Sequence, residues 1–128
     1  MRKADAVTIE TRKPFGPSPG TFSSTGAISE SGTFLNSSVI LGCVDASDSV
    51  TVDVTQRFQG ALGTFTLRAA ISETATDDPH VLSDHGSWTL IDGTGVYETL
   101  QGRGRVTGTA DDNLDLITRT YNGTVRRR

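Results

Sequence analysis

The residues best placed to do chemistry are Glu73, Arg119 and Tyr121. Glu73 follows Phe65, Leu67, Ala69 and Ile71 at every second position, so it continues an apolar face. Arg119 and Tyr121 share a parity with Ile117 and Val125. A polar group on such a face needs a partner if it is buried. Arg119 could pair with Glu73 or orient a ligand carbonyl. A buried Glu73 could have a raised pKa and act as an acid or base. Gln56 is a similar intruder, coming after Val50, Val52 and Val54. The simpler reading leaves Glu73 and Gln56 at the rims of the fold, in water.

Other groupings carry less chemistry. Asp77, Asp78, His80, Asp84 and His85 fall within nine residues and could offer oxygen and nitrogen to a metal. Their spacing fits no strong ligand motif, so a wet acidic loop is expected and no metal is assigned. Asp111-Asp112-Asn113-Leu114-Asp115 lacks the glycine and distal glutamate of a calcium loop and reads as a turn. Cys43 is the sole cysteine, which rules out an internal disulfide and a cysteine-based metal site. It lies in the apolar run 39–44 and reads as a small buried hydrophobe. Gly93-Thr94-Gly95 leads into no long helix, so a nucleotide cradle is not expected. No nucleophile elbow accompanies the serines. The residues themselves call for no cofactor.

Positioning any of these groups falls to a single domain. The chain has 128 residues and a mass of 13.6 kDa, the size of one ordinary domain. Ten Arg and two Lys face eleven Asp and four Glu, for a net charge of −3. That balance disfavours a dedicated nucleic-acid binder. Aromatic residues interleaved with basic ones are too sparse for a single-strand platform. The longest apolar run falls far short of the roughly 20 residues a spanning helix needs, so no membrane partner is expected. Residues 1–5 are charged and no apolar stretch follows them, which argues against a signal peptide. A cytoplasmic location is expected, or a secreted one if a leader has been removed. Residues 126–128 form a short basic tail.

Thr (19), Gly (14) and Ser (12) dominate the composition, and there is no amphipathic helix of normal length. Alternation predicts strands over 6–12, 21–28, 33–44, 49–58, 64–74, 86–91, 103–110 and 114–125. The third is interrupted near Asn36-Ser37-Ser38. Residues 13–20 hold three of the four prolines and read as a loop, completing an N-terminal segment over 1–20. Turns are expected at 29–32, 45–48, 59–63 and 111–113, a polar loop over 75–84 and one helical turn within 96–100. Eight evenly spaced strands predict an all-β fold, a meander closed into one antiparallel barrel over residues 1–128, or a sandwich.

Residues 88–104 read Trp-Thr-Leu-Ile-Asp-Gly-Thr-Gly-Val-Tyr-Glu-Thr-Leu-Gln-Gly-Arg-Gly. This pattern resembles the W-x-x-x-x-G-T-G-x-Y-x-x-L-x-G-x-G stretch of the allene oxide cyclase/dirigent-like β-barrel superfamily, which includes small bacterial proteins and is similar to spirotetronate cyclase-type barrels. The resemblance is specific over about twenty residues. It implies a calycin-like barrel and an oligomer, a homodimer or homotrimer. It carries over no catalytic residue. Physically, Gly93 and Gly95 suit a tight turn, Tyr97 and Leu100 would plug one barrel end, and Gly102 and Gly104 let the next strand bend or approach closely.

A barrel of about eight strands can be filled by side chains or hold one small ligand. Arg103, Arg105, Thr107 and Thr109 share one face of their strand, which leaves Gly102, Gly104, Val106, Gly108 and Ala110 on the other. If the arginines face solvent, the inward face has little volume. Either large neighbours lean across it or a cavity remains. Residues expected to border such a cavity are Val54, Gln56, Phe58, Phe65, Leu67, Trp88, Tyr97 and Val106. The functional expectation is a barrel that binds an apolar small molecule, as a cofactor-independent cyclase or isomerase of a natural-product-like substrate. The alternatives are a carrier of a lipophilic ligand and a structural barrel with a filled core.

Overall fold

The computed structural model describes residues 4–44 and 49–128. Eight antiparallel strands close into one barrel in the order β1 to β8, each hydrogen-bonded to its neighbours in sequence and β8 to β1. They are β1 (Asp5–Lys13), β2 (Gly20–Gly26), β3 (Glu30–Val44), β4 (Ser49–Gly60), β5 (Gly63–Ala75), β6 (Val81–Gly93), β7 (Leu100–Asp111) and β8 (Leu116–Arg127). A single 3₁₀ turn, Gly95–Tyr97, joins β6 to β7. Closure leaves most of the strands without a free edge, the problem that open sheets must otherwise solve with charge or cover. The expected interruption of the third strand is a register shift between Asn36 and Ser38. The turn expected at 45–48 and the side chain of Cys43 fall outside the described residues.

Several boundaries need correction: Arg126 and Arg127, expected in a tail, are strand residues paired with Gln101 and Leu100, and β2 ends at Gly26 rather than at Ile28. The polar loop expected over 75–84 is only 76–80, and β6 begins at Val81, five residues ahead of the expected start at Gly86. Residues 83–85 are Ser, Asp and His, so apolar alternation could not reveal them as strand. Pairing on both sides holds them there: Asp84 lies opposite Glu73 of β5 and opposite Gly108 of β7. Likewise β3 starts at Glu30, within the turn expected at 29–32, because residues 30–34 pair with β2.

The barrel is packed tightly at one end. Phe58 stacks on Phe65 with centroids 4.8 Å apart and on Phe34 at 5.1 Å, while Phe22 meets Phe58 edge-on at 5.2 Å. Such offset and edge-to-face pairs contribute beyond simple area burial. Tyr97 closes this end, its ring edge-on to Phe65 and its hydroxyl donating to Glu30. Trp88 fills the middle. Its ring lies over a window made by Gly104 and Gly123, which face each other across β7 and β8. A Cβ on Gly123 would stand 2.7 Å from the Trp88 ring. The Trp88 Nε1 donates to the carbonyls of Arg105 at 3.1 Å and Asn122 at 3.3 Å. Arg103 and Arg105 are exposed on the outer wall. The low volume of the inner β7 face is therefore taken up, around Gly104, by a neighbour leaning across.

Candidate functional site

Toward the other end, the packing changes from aromatic to polar. One row of paired residues crosses the barrel wall there: Glu73 on β5 opposite Asp84 on β6, Asp84 opposite Gly108 on β7, and Gly108 opposite Arg119 on β8. The glycine makes the row work. With no side chain on Gly108, Arg119 can reach past β7, and a Cβ there would come within 2.8 Å of the Arg119 chain. Arg119 Nε donates to Asp84 Oδ2 at 3.0 Å, and the Asp84 side chain is fully buried.

The second Asp84 oxygen, Oδ1, is buried with no hydrogen-bond donor among the described residues. An orphaned carboxylate oxygen is costly in such a place. Burial pushes the Glu73 carboxyl above the usual range, the Asp84 charge adds to this, and Arg119 partly opposes it. Glu73, directly opposite Asp84 on β5, is the residue that can offer Oδ1 a donor when its carboxyl is protonated. The two carboxyl groups thus face each other across the β5–β6 ladder, next to a fixed cation.

A second chain runs through the interior. The Tyr121 hydroxyl donates to Gln56 Oε1 at 2.5 Å, and Gln56 Nε2 donates to Asn36 Oδ1 at 3.2 Å. Burial raises the Tyr121 pKa, so the phenol stays protonated and serves as a donor rather than a base. Lys13 donates to the carbonyl of Pro14 at 2.9 Å and to that of Gly16. Burial lowers its pKa, with nearby Arg119 the next cause.

Above these groups lies a cavity of about 300 Å³. Val39, Leu41, Val52, Val54, Ala110 and Ile117 form much of its wall, and Thr11, Lys13, Asn36, Glu73 and Arg119 give it polar points. Val39 and Leu41 pair with Val54 and Val52 and so face the barrel axis, yet they remain 51% and 69% exposed. The space beside them is unfilled. The volume is at the lower end of the roughly 300–1,000 Å³ typical of small-ligand sites.

The structure brings Glu73 and Arg119 to one cavity and places Tyr121 beneath it. Arg119 pairs with Asp84, and Glu73 is the neighbour of that pair. Gln56 is 1% exposed, so it belongs to the interior and not to a wet rim. Of the residues expected to border a cavity, Val54 does so. Phe58, Phe65, Leu67, Trp88 and Val106 are packed into the filled part, and Tyr97 closes the far end. Sequence reasoning missed Asp84, Lys13 and Asn36. Asp84 could have been found by extending the parity of Leu90 and Trp88 backwards through Gly86. Its companions in the acidic loop go elsewhere: His80 meets Asp112 at 2.8 Å, and His85 is exposed. Among the described residues, no group of three or more His, Cys, Asp or Glu is placed to hold a metal. Nor, among them, is any helix long and apolar enough to cross a membrane.

No protein-family model matches the chain, and neither a curated protein nor a solved structure matches it.

Proposed function

We propose that the open barrel end binds one small, mainly apolar molecule, with an oxygen of that molecule directed toward Glu73 and Arg119. The observation that carries this reading is the unfilled apolar wall, Val39 and Leu41 foremost, standing over the row of Glu73, Asp84 and Arg119. Apolar walls with a few convergent polar groups are the usual make-up of a small-molecule site. The polar row suits a neutral acceptor such as a carbonyl or ether oxygen. Rim residues Asp77, Asp78, Asp112 and Asp115 are exposed, and their charge disfavours an anion.

In the catalytic form of this reading, the protein is a cofactor-independent cyclase or isomerase. The wall holds a flexible substrate in a reactive shape, which removes part of the entropic barrier. Glu73 donates its proton to an oxygen on which negative charge develops, and Arg119 stabilises that charge. A proton lost from carbon returns to Glu73, so an isomerisation balances without an added reagent. Tyr121 acts through Gln56 to position Asn36 at the cavity. The resemblance of residues 88–104 to cyclase-type barrels supports this form. In the other form the barrel is a carrier, and the same contacts only hold the ligand.

Native mass spectrometry on the full chain, purified gently from its own host, tests the reading. An added mass of a few hundred daltons per chain is expected, the class of ligand such a volume admits. Replacing Val52 with Phe, which fills the cavity from its wall, should abolish that adduct. Failure to bind any neutral apolar oxygen compound, both in the host preparation and in a screen, would overturn it. With a ligand in hand, conversion lost in Glu73→Gln identifies the cyclase or isomerase form. Bound ligand recovered unchanged identifies the carrier.

A further inference from the structure

Among the described residues, strand β3 is the one long strand whose second edge the barrel does not use along its whole length. β4 pairs with it from Gly32 to Val44, but β2 pairs only from Glu30 to Phe34. Over residues 35–44 the side away from β4 has no strand partner among the described residues. That segment contains no Asp, Glu, Lys, Arg or Pro. Strand edges that stay single in solution are usually protected by such residues or kept short. Here the opposite holds: the edge is uncharged, and it carries large apolar side chains on both faces. Leu35 and Ile40 point outward and are 47% and 60% exposed, while Val39 and Leu41 point inward and are 51% and 69% exposed.

We infer that residues 35–44 pair with the same segment of a second copy of the chain, antiparallel about a two-fold axis, so that each copy completes the other's cavity wall. A small ligand can cover Val39 and Leu41. It cannot cover Leu35 and Ile40 on the outer face, nor satisfy a row of backbone donors and acceptors about 33 Å long. Only an extended strand does both. A segment paired with its own copy makes a closed, self-complementary contact, and an uncharged one brings no like charges together in a chain of net charge −3. The contact also lies where the cavity is open, since Val39 and Leu41 line it. The inference rests on the strand edge and holds whether or not the cavity takes a ligand.

Light scattering and native mass spectrometry of the full chain test it. The expected mass is twice 13.6 kDa, falling toward a single chain on dilution. Ile40→Lys and, separately, Leu35→Lys put a charge on the outward face of the edge without touching the cavity. Each should give a single-chain mass while keeping a cooperative melt. Ile91→Lys, an equally exposed position on β6 (47%), should leave the double mass. In the unmodified protein, backbone amides of 35–44 should exchange with deuterium faster as concentration falls. This arm still reads the edge if either variant fails to fold. A single-chain mass at about 100 μM overturns the proposal. So does an assembly of three or more copies, or a pair whose 35–44 amides show no dependence on concentration.

Discussion

Arg119 and Asp84 meet inside the barrel, Nε to Oδ2 at 3.0 Å, by reaching across a strand that carries only Gly108 between them. The contact joins β8 to β6, and the fold must keep both charges together. Buried pairs of this kind add little over an apolar pair of the same volume, but breaking one leaves a charge stranded. Arg119→Met should therefore destabilise the protein by about 3–5 kcal/mol, and Asp84→Leu by a similar amount. The double variant should lose far less than the two together. Urea unfolding of the four proteins measures this, and additive losses would show that the pair is not coupled.

Glu73 gives stability a pH dependence. Its folded pKa lies above the ordinary carboxylate value of 4.5, chiefly through burial and then the Asp84 charge. The folded state thus holds the proton more tightly than the unfolded chain. The stabilisation is fully present below the unfolded pKa and is lost as pH rises through the folded one. Across that window the unmodified protein should lose stability with rising pH relative to Glu73→Gln, which keeps a donor toward Asp84 at every pH. Thermal melts at closely spaced pH values provide the comparison. Parallel curves for the two proteins would show that Glu73 holds its proton no more tightly in the folded state than in the unfolded chain.

Gly123 exists for Trp88. A Cβ at this position would lie 2.2 Å from the Arg103 carbonyl and 2.7 Å from the indole ring. Gly123→Val should cost at least the roughly 1–3 kcal/mol typical of overpacking. It should also change the near-ultraviolet dichroism of the chain's single tryptophan. An unshifted melt with an unchanged tryptophan signal would mean that the ring does not lie over the glycine window.

How far the sequence reads depends on what each residue type reports. Strands β4 and β5 were legible because Val52, Val54 and Phe58, then Phe65, Leu67 and Ile71, alternate apolar with polar, a pattern only a one-sided buried strand satisfies. The start of β6 was not legible, because its inward residue is an aspartate and its next is a glycine. A carboxylate gains a place on a buried face only when its partners are in reach, and here they come from two other strands.

From the sequence alone came the all-β class, the count of about eight strands, the shared parity of Glu73 and Gln56 with apolar faces and of Arg119 with Tyr121, and the division of β7 into an arginine face and a glycine-rich one. These follow from a period of two, which is local. Which polar residues meet, which end of the barrel is filled and which is open, and where an edge is left free were decided only by tertiary structure. Each depends on strand register and on the stagger between neighbours. The short β2 leaves the second edge of β3 without a strand partner beyond Phe34 among the described residues, and the four-phenylalanine stack fills one end. Such relations join residues as far apart in the chain as Asp5 and Val125, and no local pattern encodes them.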